Sequence, residues 1–191
     1  MVNKFLNLDY LKNGNMRQKQ AYNILKESRI FTHLKAYNPL LAGTVPIGID
    51  IAGSDLDIVC CFEDREKFVD EITLLLKLRP GFCLNKDERQ GAVVCRFEEG
   101  GMVLEIFASR TDSEKSNAFR HMLIENRILD LAGREFRKKV VALKKQGMKT
   151  EPAFAKLLGL KGEPYLALLE LEGVSDEVLI NLSEKTHQTD K

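Results

Sequence analysis

No run of residues in this chain approaches the roughly 20 consecutive apolar side chains that a membrane-crossing helix requires. Nor does the N-terminus, Met1-Val2-Asn3-Lys4-Phe5-Leu6-Asn7-Leu8-Asp9, hold the unbroken apolar core of a signal peptide. No membrane association is expected, and the expected location is cytoplasmic. Neither sign of charge is in excess: 29 basic and 28 acidic residues leave a formal charge of +1. Proteins built around bulk nucleic-acid binding carry a strong basic excess, so nucleic acid is not an expected partner, although a local basic patch stays open. Soft metal ligands are scarce. His33, His121 and His187 are scattered, and Cys60, Cys61, Cys83 and Cys95 form no C-x-x-C pair. A structural zinc site is therefore not expected. The cysteines lie among apolar residues and read as buried, reduced thiols. There is no internal repeat and no low-complexity segment.

What is present is ordinary globular material: 191 residues, 44% hydrophobic and 30% charged. That suffices for one well-buried domain, or a domain with a small helical appendage. Apolar spacing predicts a helix over 16–36, through Ala21, Ile24, Leu25 and Leu34. Leu40-Leu41-Ala42 is a short strand bounded by Pro39 and Pro46. Residues 45–54 form a loop, Leu56–Phe62 a strand, and 63–78 a helix stopped by Arg79-Pro80-Gly81. Three further strands are expected within 82–108, the last two joined across Glu98-Glu99-Gly100-Gly101. Helices follow, one capped by Asp112 or Ser113 and one starting at Thr150-Glu151-Pro152 with Thr150 as the capping hydroxyl. Tyr165, Leu168 and Leu169 read as core of this helical part, and residues from Glu184 on as a frayed tail. The expected fold class is α/β (α+β): a mixed sheet with flanking helices over 1–110, then a helical annex over 111–191 packed on it.

The chemistry is concentrated in Ala42-Gly43-Thr44-Val45-Pro46-Ile47-Gly48-Ile49-Asp50-Ile51-Ala52-Gly53-Ser54-Asp55-Leu56-Asp57-Ile58. Residues two apart on a strand face the same way, with Cα atoms roughly 6.5–7 Å apart. Asp55 and Asp57 can then reach one divalent cation or bridge two. Leu56 and Ile58 point into a core and hold the acids rigidly. Alone, an Asp-x-Asp is also a common polar strand end. Gly43-Thr44, after an apolar run, offers a tight turn and a hydroxyl for phosphate oxygens. Glu105 stands inside Met102-Val103-Leu104-Glu105-Ile106-Phe107. A charge there is costly to bury unless paired or metal-bound; on a solvent-facing edge it needs no such partner.

This segment resembles the core of the DNA polymerase beta-type nucleotidyltransferase superfamily: a strand, Gly-Ser or Gly-Gly, a loop, a strand with Asp-x-Asp, and a later strand with a third acid. Gly43-Thr44 matches the first element. Asp55 and Asp57 follow at the spacing of small members such as the aminoglycoside and minimal nucleotidyltransferases. Gly48 matches a loop glycine, Ser54 the residue before Asp-x-Asp, and Glu105 the third acid. The likeness covers residues 38–109. Over most of the chain, Pro46–Asp50, Asn117–Met122 and Thr150–Ala155 also resemble a bacterial family of nucleotidyltransferase-like proteins of unknown function. There are departures. Thr44 replaces the more usual serine, and Asp50 is an additional loop acid. Ile47 stands where small members often carry arginine, which removes a phosphate clamp.

The resemblance implies metal-dependent nucleotidyl transfer from a nucleoside triphosphate to a small-molecule or protein acceptor. Asp55, Asp57 and Glu105 would be catalytic and would hold Mg2+ or Mn2+. Gly43, Thr44, Gly48 and Ser54 would bind the nucleotide. Ile47 keeps a second reading open, a catalytically inactive nucleotide- or partner-binding module with the same fold; hydrolysis of phosphate esters by a similar acid cluster is a third. His121 reads as a helix-surface residue with a structural hydrogen bond. Arg134, Arg137, Lys138, Lys139, Lys144, Lys145 and Lys149 form a basic run on which Arg134, Lys138, Lys145 and Lys149 can share a face. Phe136 is its one interleaved aromatic, so base stacking is poorly supported.

Overall fold

A computed structural model of the chain describes residues 2–88 and 91–185. The strands are β1 (Leu40–Ala42), β2 (Leu56–Cys61), β3 (Cys83–Asp87), β4 (Ala92–Glu99) and β5 (Met102–Ser109). They form one mixed sheet in the order β1-β2-β5-β4-β3, with β2 and β5 parallel and the other pairs antiparallel. The helices are α1 (Met16–Glu27), α2 (Ile30–His33), α3 (Arg65–Leu76), α4 (Asn117–Lys145), α5 (Thr150–Leu158), α6 (Pro164–Leu169) and α7 (Asp176–Lys185). The chain divides into two compact units: Met1–Gly48 with Gly53–Phe119, and Ile49–Ala52 with Arg120–Lys191. The expected fold class is the one found. Of the tail expected to fray from Glu184 on, Glu184 and Lys185 are instead the end of α7, and the rest lies outside the described residues.

In the first unit one sheet face is core. Leu56, Ile58 and Cys60 of β2, Leu104, Ile106 and Ala108 of β5, and Val93, Cys95 and Phe97 of β4 are buried with Ala21, Ile24 and Leu25 of α1 and Phe68, Ile72 and Leu76 of α3. Period-2 strands and period-3.6 helices each present one apolar stripe, and burying both together is what drives this layer to form. Truncating a residue as deep as Phe68 typically removes about 3–5 kcal/mol. Asp64 caps α3 by accepting from the Lys67 amide at 3.1 Å. The helix expected over 16–36 is instead broken. Arg29 takes a left-handed conformation (φ 55°), which ends α1 and starts the single turn of α2. Cys83 is exposed, in contrast to the expectation of buried thiols, because it begins the edge strand β3.

The second unit is helical apart from its loop residues 49–52. α4 is not one straight rod. Gly133 adopts φ 77° and ψ −165°, a conformation open to glycine, and the helix direction breaks there. Phe136 and Phe154, on either side of the α4–α5 turn, pack with ring centroids 5.8 Å apart, and Leu168 and Leu179 are fully buried. Leu168 is core as expected, whereas Tyr165 and Leu169 are only half-buried. Arg127 ties the α6–α7 connection to α4 by donating to the Val174 carbonyl at 2.7 Å and to Asp176. Thr150 is already inside α5; its N-cap is Lys149, which makes no side-chain cap bond. Among the described residues no helix is long and apolar enough to cross a membrane.

Candidate active site

The other face of the sheet carries charge. The register pairs Ala42 with Asp57, Asp57 with Glu105, and Glu105 with Arg96. Residues paired across strands face the same side, and neighbouring strands are about 4.8 Å apart. Asp57, Glu105 and Arg96 therefore form one transverse row over β2, β5 and β4. Glu105 is not a stray charge on a sheet edge: β5 is a central strand, and the side chain is 22% exposed. Arg96 Nε donates to Glu105 Oε2 at 2.5 Å, and a second guanidinium nitrogen lies 3.7 Å from Asp55 Oδ2. The three acids thus gather around one guanidinium, which also feels the charge of Asp57. The bond to Glu105 pushes the ionisation of Arg96 up, so it stays charged.

Gly43 explains how Asp57 fits. It has φ 77°, and a Cβ built on it would stand 1.9 Å from Asp57 Oδ2. Only a residue without a Cβ leaves that carboxylate its place. From Gly43 the chain runs into a turn closed by the Gly48 amide donating to the Val45 carbonyl at 3.2 Å. Gly48 also has positive φ, 66°. Val45, Ile47 and Ile49 are buried. Ile47 thus fills apolar space where a clamp-like arginine would have to stay in reach of solvent.

The start of α1 holds this loop from outside. Asn15 accepts from the Gln18 amide while Gln18 Oε1 accepts from the Asn15 amide, a capping box. The Gln18 side-chain nitrogen then donates to the carbonyls of Val45 and Pro46 at 3.0 and 2.9 Å. Arg17 donates to the Ser54 carbonyl at 3.1 Å. Thr44 and Ser54 are half-buried within this braced loop. Asp50 belongs with Ile49–Ala52 to the second unit, where the buried Lys144 ammonium donates to the Ile49 carbonyl at 2.9 Å.

Phe107 follows Glu105 by two residues and so shares its sheet face. A cavity of about 270 Å³ opens there, lined by Phe107, Ser109, Thr111, Lys115, Ser116 and Asn117. Its walls combine an aromatic ring, hydroxyls, an amide and a cation at the entry to α4. Such a mixture suits a polar ring-bearing ligand.

The donor set of the acids is all oxygen, which suits magnesium or manganese. Among the described residues no group of three or more His, Cys, Asp or Glu side chains is placed to hold a metal ion.

Several sequence readings change. His121 is buried, not on a helix surface. Its Nε2 lies 2.9 Å from the Tyr165 carbonyl and its Nδ1 3.9 Å from Glu151. The basic run is no continuous face: Lys144 is buried, Lys138 pairs with Glu135 at 2.7 Å, and Lys149 lies beyond α4, past Gly147. Arg96 escaped the sequence reading, though Ala92-Val93-Val94-Cys95-Arg96-Phe97 gives the signal that singled out Glu105, one charge inside an apolar strand. Arg17 and Gln18 offered none, since their partners lie 37 and 27–28 residues away.

Solved structures share the fold. A chain of the GLD-2/RNP-8 complex superposes with a TM-score of 0.58 at 13% identity, over 97% of this chain and 70% of that one. The Cid1 poly(U) polymerase with MgGTP bound gives 0.53 at 14%, over 81% and 47%. A cytoplasmic RNA terminal U-transferase gives 0.51 at 15%, over 83% and 47%. The chain spans about half the length of these last two. At such identities the likeness is one of fold, and the fold is that of the nucleotidyltransferases. Comparison with curated proteins by sequence finds no match. Residues 23–171 match a family described as a domain of unknown function (DUF4269).

Proposed function

Since the chain belongs to this domain family of unknown function (DUF4269), we propose its activity from the site itself: metal-dependent nucleotidyl transfer from a nucleoside triphosphate. The observation that carries the reading is the row on the sheet, with Asp57 beside Glu105 and the notch at Gly43 that admits Asp57. Asp55, Asp57 and Glu105 would hold Mg2+ or Mn2+. The cation, when bound, offsets charge on the phosphates and the leaving pyrophosphate. Glu105, less exposed than Asp55, is suited to accept the acceptor's hydroxyl proton. Gly43 and Thr44 would orient the phosphates, with Gly48 and Ser54 shaping the loop behind them. The cavity beside Phe107 would take the base and sugar.

For the acceptor we favour a small molecule or a protein in a cytoplasmic setting. The interrupted basic run leaves few charges aligned for a phosphate backbone, and the net charge is +1. The bond between Arg96 and Glu105 favours a second reading, a module that binds nucleotide or a partner without catalysis, because it engages an acid that catalysis needs.

Calorimetry with ATP, GTP, CTP and UTP, with and without magnesium, tests binding, and pyrophosphate release tests turnover. Metal-dependent binding lost in Asp57→Asn with the fold intact is the expected result. Binding unchanged in that variant removes the acids from the nucleotide site. Binding without pyrophosphate release, across candidate acceptors, selects the inactive module.

A further inference from the structure

Arg96 lies where a cation must go. Its guanidinium engages Glu105 at 2.5 Å and approaches Asp55 at 3.7 Å, and its side chain is 56% exposed, far more than Glu105 at 22%. A carboxylate lone pair that receives an N–H is not free to ligate a metal, and two positive charges at contact distance repel. Metal and Arg96 therefore compete for the same oxygens. The exposed, long side chain can leave its pairs by rotation about its own bonds, with no movement of β4. Once released it presents a planar, permanently charged fork on the sheet face of the acids, and that geometry matches a phosphate. The loop has meanwhile given up its own clamp, since Ile47 is buried.

Building on the proposed metal site, we infer that Arg96 is the phosphate-binding cation of this chain: it is held by Glu105 and Asp55 while no metal is present and passes to the nucleotide's phosphates when a divalent ion takes those acids. Two consequences follow. Metal alone binds poorly because it must displace Arg96 with nothing to receive the guanidinium. Metal and nucleotide bind cooperatively because the phosphates receive it.

The test pairs two binding measurements on the full chain, Mn2+ alone by electron paramagnetic resonance and a non-hydrolysable triphosphate with magnesium by calorimetry. Arg96→Met is expected to tighten Mn2+ binding at least about tenfold and to weaken nucleotide binding by a similar factor, the scale for removing a full charge at contact distance. Arg96→Lys retains the charge without the fork and is expected to fall between Arg96→Met and the parent in both. Arg96→Met unchanged in both, or weakened in both, overturns the inference: the arginine is then a bystander or a brace. Asp57→Asn separates this from failure of the metal site. If that variant binds Mn2+ as the parent does, the metal reading fails; if it loses Mn2+ while Arg96→Met changes nothing, only the exchange fails.

Discussion

Two clusters of charge in this molecule are solved in opposite ways. On the sheet of the first unit, Asp55, Asp57, Glu105 and Arg96 are partly open to solvent, and one guanidinium offsets part of the acids' charge. In the second unit, Glu125 of α4 is fully buried, and its Oε1 has no hydrogen-bond partner. Burial pushes its ionisation well above the usual carboxylate range; the charge of Glu151 adds to this and Lys144 opposes it. The first cluster lies within reach of water and of the Arg96 guanidinium. In the second, burial works against the charged form of Glu125, because an ionised carboxylate is costly in the interior. Charge in reach of water can change partners, whereas burial as deep as that of Glu125 disfavours charge altogether.

The comparison breaks most visibly at Gly43. Gly43→Ala adds a Cβ 1.9 Å from Asp57 Oδ2 at a backbone φ of 77°. The carboxylate must move by an ångström or more, and misplacement on that scale costs roughly 100-fold in activity. The expected outcome is loss of metal-dependent nucleotide binding with an unchanged circular dichroism spectrum; binding at the parental level would remove Gly43 and Asp57 from the site.

Glu125→Gln sharpens the other half. A carboxyl whose folded ionisation lies above its unfolded one stabilises the fold fully only below the unfolded value, and that contribution is lost as pH rises toward the folded value. Each tenfold displacement of the equilibrium is worth about 1.4 kcal/mol. Urea unfolding of the parent should show stability falling as pH rises from the ordinary carboxylate range, and the glutamine variant should show a shallower fall. Parallel curves would mean that Glu125 is ionised in the fold.

A smaller effect is expected at the brace. A Cβ on Gly14 would meet Gln18 Oε1 at 2.1 Å. Gly14→Ala displaces the side chain that both caps α1 and holds the Val45 and Pro46 carbonyls, a change of about 1–2 kcal/mol by the usual worth of a cap. Hydrogen exchange in 43–48 should quicken while the second unit is unaffected. The smallest effect belongs to the basic run. Lys138 already pairs with Glu135 on the surface, a contact of small net value. Lys138→Glu should leave RNA binding at 150 mM salt as weak as in the parent. Submicromolar binding that this variant loses would move the acceptor toward nucleic acid.

Much of this was legible along the chain because it is local. The apolar runs of 56–61 and 102–109, the Gly-Gly hairpin between apolar runs and the helical spacing of Phe68, Ile72 and Leu76 are each set by residues that are neighbours in the chain. The Asp-x-Asp pattern, Gly43 and Glu105 were visible as residue types out of keeping with their surroundings. What no local pattern contained was register. That β2 lies parallel to β5 with Asp57 opposite Glu105, that β4 brings Arg96 to the far side of Glu105, and that Gln18 reaches Val45 depend on which strands and helices bury their apolar faces together. The breaks at Arg29 and Gly133 belong here too, since helical spacing continues through both until packing selects the left-handed residue. The sequence by itself determined the elements and the kinds of charge they carry. Tertiary structure decided which charges meet, because a pairing across the sheet is chosen by the whole buried layer, and a slip of one residue would turn every acid on this face into the core.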